Sequence, residues 1–188
     1  DDYSGYDVSI SNDGDMVAIG APDNDDNGEA SGHVRIYDWN GSAWVQRGLD
    51  IDGESQSDYS GESVSLSNDG NTVAIGAPGH DGYNYENGQV RIYDWSGSAW
   101  VQRGLDIDGE PTVDGSGDGD ESGTSVSLSN DGNTVAIGAP KNDGNGNNSG
   151  YVRIFYWDGS AWVQRGSNIY GNHNSNSGNS LSLDNSGN

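Results

Sequence analysis

The chain has no cysteine, one phenylalanine, one methionine and four prolines. Without thiols there is no disulfide framework and no thiolate chemistry. Only 7 Lys and Arg stand against 30 Asp and Glu, a formal charge of −23 that excludes nucleic acid and anionic membrane surfaces as partners and favours cations. No apolar run approaches the length of a membrane span, so membrane insertion is not expected, and the first residues lack the pattern of a signal peptide. The three histidines, His33, His80 and His173, fall at unmatched places, with no Ser/His/Asp arrangement or phosphate-binding loop beside them. The chain is therefore not expected to be an enzyme, and no catalytic residue is assigned.

What is abundant is repetition. Apolar residues make up only 30%, and with 31 glycines this composition would suggest disorder if it were unpatterned. It is patterned throughout. Val8, Val64, Val126 and Leu181 align at spacings of 56, 62 and 55 residues, and the longest spacing reflects a Gly- and Asp-rich insertion between Asp114 and Glu121. The segment GSAWVQRG begins at Gly41, Gly97 and Gly159, and SNDGNTVAIGAP begins at Ser67 and Ser129. The 188 residues are read as one repeat domain with units at about 3–56, 59–112 and 121–174 and a partial one at about 177–188.

Each unit reads as four short strands. Val8, Ser9, Ile10 and Ser11 alternate apolar and polar, as a half-buried strand does. Asn12, Asp13 and Gly14 supply a tight turn. Met16 to Ala21 is apolar and small, as expected between two covered faces, and Pro22 ends it. Val34 to Trp39 and Ala43 to Gly48 follow, joined by a turn at Asn40 and Gly41. A sheet this small with apolar residues on both faces cannot bury them alone, so each unit needs a neighbour. The expected fold is all-β: a β-propeller segment of about three four-stranded antiparallel blades plus the first strand, Ser180 to Leu183, of a further blade. Three blades cannot close a ring, so more sequence or assembly of chains is expected, with the leftover strand able to complete a neighbouring sheet. The six tryptophans, Trp39, Trp44, Trp95, Trp100, Trp157 and Trp162, are expected within and between blades, with an exposed glycan-binding shelf as the alternative.

The pattern Gly-x-Ser-Val-Ser-Leu-Ser-x-Asp-Gly-Asn-Thr-Val-Ala-Ile-Gly-Ala-Pro, followed by Gly-x-Val-Arg-Ile-Tyr, resembles the FG-GAP repeats of integrin-α-like β-propellers. Gly-Ala-Pro stands at Gly20 to Pro22, Gly76 to Pro78 and Gly138 to Pro140. The Trp-x-Gln-x-Gly strand, here Trp44, Gln46 and Gly48, is similar to bacterial and algal forms. The resemblance implies a seven-bladed propeller in the parent protein, commonly extracellular, often adhesive and often calcium-binding. It does not carry the family's calcium site over. That site needs an Asp-x-Asp-x-Asp-Gly hairpin loop, and the turns at Asp13, Asp69 and Asp131 are too short, so these acids are read as turn formers.

Calcium is expected, if anywhere, in other loops. Asp23, Asp25, Asn27 and Glu29 follow the opening of an EF-hand-like loop, without the Glu of its twelfth position. Asp143, Asn145 and Asn147 are their counterparts in the third copy, and His80, Asp81 and Asn84 make a weaker set in the second. A second candidate is Asp50, Asp52 and Glu54 with Asp106, Asp108 and Glu110, where the third copy has Asn168, Tyr170 and Asn172. The alternative is that all these acids merely solvate loops. Arg35, Arg91, Arg153, Arg47, Arg103 and Arg165 occupy matched positions and are expected in structural pairs or stacks, Asp38 and Asp94 among the partners. Asn40 and Asn147 head sequons open to glycosylation. The expected function is a non-enzymatic extracellular or cell-surface module for adhesion, protein interaction or assembly. A glycan-binding propeller is the alternative, and a propeller domain of a secreted hydrolase comes third.

Overall fold

A computed structural model describes residues 2–81, 87–110, 119–184 and 187. The first copy forms β1 (Val8–Ile10), β2 (Met16–Ala21), β3 (His33–Trp39), β4 (Trp44–Gln46) and β5 (Ile51–Asp52). The second forms β6 (Ser63–Leu66), β7 (Thr72–Ala77), β8 (Gln89–Trp95), β9 (Trp100–Gln102) and β10 (Ile107–Asp108). The third forms β11 (Ser125–Leu128), β12 (Thr134–Ala139), β13 (Tyr151–Trp157), β14 (Trp162–Gln164) and β15 (Ile169–Tyr170). Each copy is one antiparallel meander in which the third strand is paired by both the fourth and the short fifth. The outer edge is thus one strand in two pieces rather than the continuous Ala43 to Gly48 expected. Gly48 takes φ 82° and turns the chain outward, leaving Leu49 exposed, before Ile51 rejoins opposite Val34.

Two apolar cores form, each between sheets rather than within one. Val34, Ile36 and Ile51 on the back of the first blade meet Val64, Leu66, Val73 and Ile75 on the front of the second. Val90, Ile92 and Ile107 meet Leu128, Val135 and Ile137 in the same way. This double covering explains why β7 and β12 are buried at every residue. In β2, Val17 and Ile19 remain part-exposed, because among the described residues no blade covers that face.

The Ser-x-Ser pattern of the first strands links the blades. Ser9 Oγ accepts the Leu66 N–H at 2.9 Å, Ser65 Oγ accepts that of Leu128 at 3.0 Å, and Ser127 Oγ accepts that of Leu183 at 3.1 Å. The segment 180–183 therefore lies against β11 where a further blade's first strand belongs, although it has no ladder partner among the described residues. The first strands form the hub from which the sheets extend.

The tryptophans lie on the outer edge. Each blade's two indoles meet at 5.4–5.5 Å. Trp100 Nε1–H donates to the Arg47 carbonyl of the preceding blade, Trp162 does the same to Arg103, and the Arg47 guanidinium lies 4.7 Å over Trp95. The corresponding Trp39 and Trp44 of the first blade are 40% and 45% exposed. Replacing Trp100 with Phe deletes one interblade hydrogen bond and is expected to cost about 1 kcal/mol in urea denaturation. Trp44→Phe, on the open face, is expected to change stability by less than about 0.5 kcal/mol.

Candidate functional site

The loops after the second strands, which hold most of the expected ligands, pack on the segments that enter the next blade. At the base of each loop an Asn or His meets an acid: Asn24 with Asp2, His80 with Asp58, and Asn142 with Asp120. Asp58 and Asp120 are buried. The Asp58 carboxylate also accepts the N–H groups of Glu54 and Ser55, and its hydrogen bond pushes His80 above the usual imidazole range. Asp120 has an unpartnered Oδ2, and burial pushes it up to about 6.

The expected ligands are engaged in holding these loops. Asp25 Oδ1 accepts the Ala30 N–H at 2.8 Å, and Asp143 Oδ1 accepts that of Asn148 at 2.6 Å. Asn27 donates to the Gly53 carbonyl at 2.7 Å, and Asn145 donates to that of Gly171 at 2.8 Å. Glu29 accepts from Gln56, and Asn147 Oδ1 accepts from Asn148 while its carbonyl faces His173 Nδ1. Asp23 acts elsewhere: with burial and Glu121, its charge helps raise Glu62 to about 7. Asn84 lies outside the described residues, as does most of the 114–121 insertion. At the hairpins, Asp13, Asp69 and Asp131 each accept a Ser hydroxyl and the N–H two residues on, as turn formers do.

The second expected set is dispersed too. Asp106 takes the Gln102 amide, just as Gln164 donates to Asn168. The carbonyls of Asp52 and Asp108 receive Arg91 and Arg153 from the following blade. Burial raises the Asp108 carboxyl, with the nearby Asp106 charge adding to it. Glu54 takes Gln89, and Glu110 takes Asn168. Asp50 alone enters a cluster. Its Oδ2 accepts Arg35 at 2.7 and 2.9 Å and lies 3.9 Å from His33 Nδ1, which is itself 3.9 Å from Asp26 Oδ2. Among the described residues, Asp26, His33 and Asp50 are the one set of three acidic or imidazole donors within 4.8 Å of one another. Sequence spacing missed it because His33 begins a strand and Asp26 sits across a loop.

The arginines follow blade order. Arg91 and Arg153 are buried and cross to the preceding blade, whereas Arg35 folds back onto Asp50 of its own blade. Arg47 lies 3.5 Å from Asp38, Arg103 pairs with Asp94, and Arg165 instead lies over Tyr156, which replaces the acid in the third copy.

The Gly-Ala-Pro glycines mark the closest approach between blades. A Cβ on Gly20, Gly76 or Gly138 would fall 1.9–2.0 Å from the carbonyl oxygen of Gly61, Gly123 or Gly178. The family model for the FG-GAP repeat matches residues 1–37 and 112–155, which include two of these three sites. The third lies in Ser67 to Pro78, identical to Ser129 to Pro140 of the matched stretch. The chain carries FG-GAP repeats.

The similar solved structures include a β-propeller. Hydrazine synthase from Kuenenia stuttgartiensis is similar over 96% of this chain and 39% of its own, with TM-score 0.54 and 12% identity. The β-propeller domain of the Trilobed protease from Pyrococcus furiosus, described as having an open velcro topology, is similar over 87% and 41%, with TM-score 0.50 and 14% identity. The FG-GAP chain thus spans about two fifths of each, and at these identities the likeness concerns the fold alone. No curated protein matches the sequence.

Proposed function

We propose that this FG-GAP chain is a non-enzymatic structural and interaction module that works by adding blades of its own kind, in the extracellular or cell-surface setting that the resemblance to integrin-like propellers suggests. The observation that carries this reading is the likeness of its open first and last faces to the faces it buries internally. On the front of the first blade Val8 and Ile10 are 58% and 61% exposed, whereas their counterparts Val64 and Leu66 are buried. On the back of the third blade Val152 and Ile154 are part-exposed and Ile169 is 56% exposed, whereas Val90, Ile92 and Ile107 are buried. An apolar face of this kind is stable only when covered. The occupant that fits each face is another blade of the same repeat, carried by a longer parent chain or presented by a second copy, and association of copies tests the second source. Light scattering after size exclusion is expected to detect concentration-dependent association of the intact chain, and Ile10→Glu is expected to return it to the monomer while leaving its circular dichroism unchanged. A chain monomeric at all concentrations sinks the second copy as the source.

A second reading is glycan binding, favoured by the groove between the outer edges of the second and third blades. It is lined by Phe155 and Trp162 with Asp106, Asp108 and Gln164, aromatic faces beside hydrogen-bonding groups. A glycan array tests it: binding that Trp162→Ala removes supports the reading, and an empty array ends it.

A further inference from the structure

We propose that Asp26, His33 and Asp50 form a binding site for a first-row divalent transition ion, with Zn2+ as the best match. The observation that points to a ligand is His33. The residue is 1% exposed, and its Nδ1 has no hydrogen-bond partner, yet it faces two carboxylate oxygens at 3.9 Å each. That distance is too long for a hydrogen bond, so a buried polar atom stands unsatisfied between two negative groups. A tetrahedral zinc ion bound at roughly 2.0–2.1 Å spaces its donors about 3.4 Å apart, so each carboxylate needs to approach by about 0.5 Å. Asp26 can make that move, since its side chain is 65% exposed on the loop ahead of β3.

The surroundings suit a cation. Arg35 and Gln46 hold Asp50 in place, the outer support that a ligating carboxylate normally has. Asp26, Asp50 and the nearby Asp52 leave two negative charges after Arg35 is counted. One nitrogen and two oxygens suit zinc better than calcium, which takes six to eight oxygens. The remaining positions open to solvent on the Asp26 side. Neither other copy repeats the set: positions matching His33 hold Gln89 and Tyr151, and the third copy has Gly144 and Asn168 for the two acids.

These replacements supply the test. Gln89 is fully buried at the position matching His33, so His33→Gln is accommodated by the fold. With the intact chain, Zn2+ titrated by calorimetry is expected to give one site that loses about 100-fold or more in affinity in His33→Gln and in Asp26→Asn. Co2+ in place of Zn2+ is expected to develop the visible absorption of a four-coordinate site, absent from His33→Gln. Titrations identical in the native chain and His33→Gln would reduce the binding to general attraction by an acidic surface and overturn the proposal. So would Ca2+ displacing Zn2+ at equal concentration.

Discussion

Gly76→Ala is expected to destabilise the chain by about 3 kcal/mol, lowering the urea midpoint without changing strand content until unfolding. The added methyl would lie 2.0 Å from the Gly123 carbonyl oxygen and 2.4 Å from Ser63 Oγ. Both contacts belong to one joint, since Ser63 Oγ donates to that same carbonyl at 2.7 Å. No rotamer change relieves a clash with backbone, so either the second and third blades separate or β7 shifts in its ladder. Separation exposes the core of Val90, Ile92, Leu128 and Val135, which makes the loss larger than a local strain. Gly97→Ala is the control. Its Cβ meets nothing within 4 Å, and only its φ of 94° resists the change, so about 1 kcal/mol is expected. Equal losses at the two sites would mean that the joint shifts at little cost to take the methyl, so that the close approach of the blades does not require the Gly-Ala-Pro glycine.

That joint marks the limit of what the sequence made legible. The repeat register and the second strand were readable because identical segments recur and that strand offers no polar face; its burial on both faces holds for β7 and β12, while in β2 one face stays part-exposed. The reason for the invariant glycine was not, because the atom it avoids belongs to Gly61, Gly123 or Gly178, some forty residues away in the chain. Asp25 and Asn27 misled for a physical reason. Asp and Asn side chains that cap loop N–H and carbonyl groups recur at the same alternate spacing as calcium ligands. The buried acids Asp58 and Asp120 gave no signal, being single carboxylates in polar stretches whose partners His80 and Asn142 lie 22 residues on. The Asp26, His33 and Asp50 cluster stayed hidden because it breaks the repeat, and repetition was the guide. It forms where Arg35, lacking a preceding blade among the described residues, turns to Asp50.

The pH dependence of stability follows from these buried acids, and its sign is the reverse of ordinary acid unfolding. Burial raises Asp120 from 3.8 to about 6, and burial with Glu121 and Asp23 raises Glu62 from 4.5 to about 7. The unfolded chain releases both protons more readily, so stability is full below pH 4 for these groups and falls as pH rises toward 7. His80, raised above 6.5 by Asp58, adds a contribution that is full below pH 6.5 and is lost above its folded value. These three groups act in one direction, opposed by His33, which burial lowers below 6.5, and the −23 charge adds repulsion as carboxylates ionise. Allowing for solvent screening, a loss of about 2 kcal/mol is expected between pH 5 and pH 8, read as a falling Tm. Asp120 is the group to change. Its counterpart Asp58 receives the Ser55 N–H, but the residue aligned with Ser55 is Pro111, which carries none. Asp120→Asn keeps a carbonyl oxygen for the Asn142 amide while removing the buried charge, so it is expected to stabilise the chain by about 1 kcal/mol at pH 8 and to flatten the profile. A Tm that climbs from pH 5 to pH 8 would show that His33, whose burial lowers its pKa and whose contribution grows as pH rises through 6.5, outweighs the buried acids.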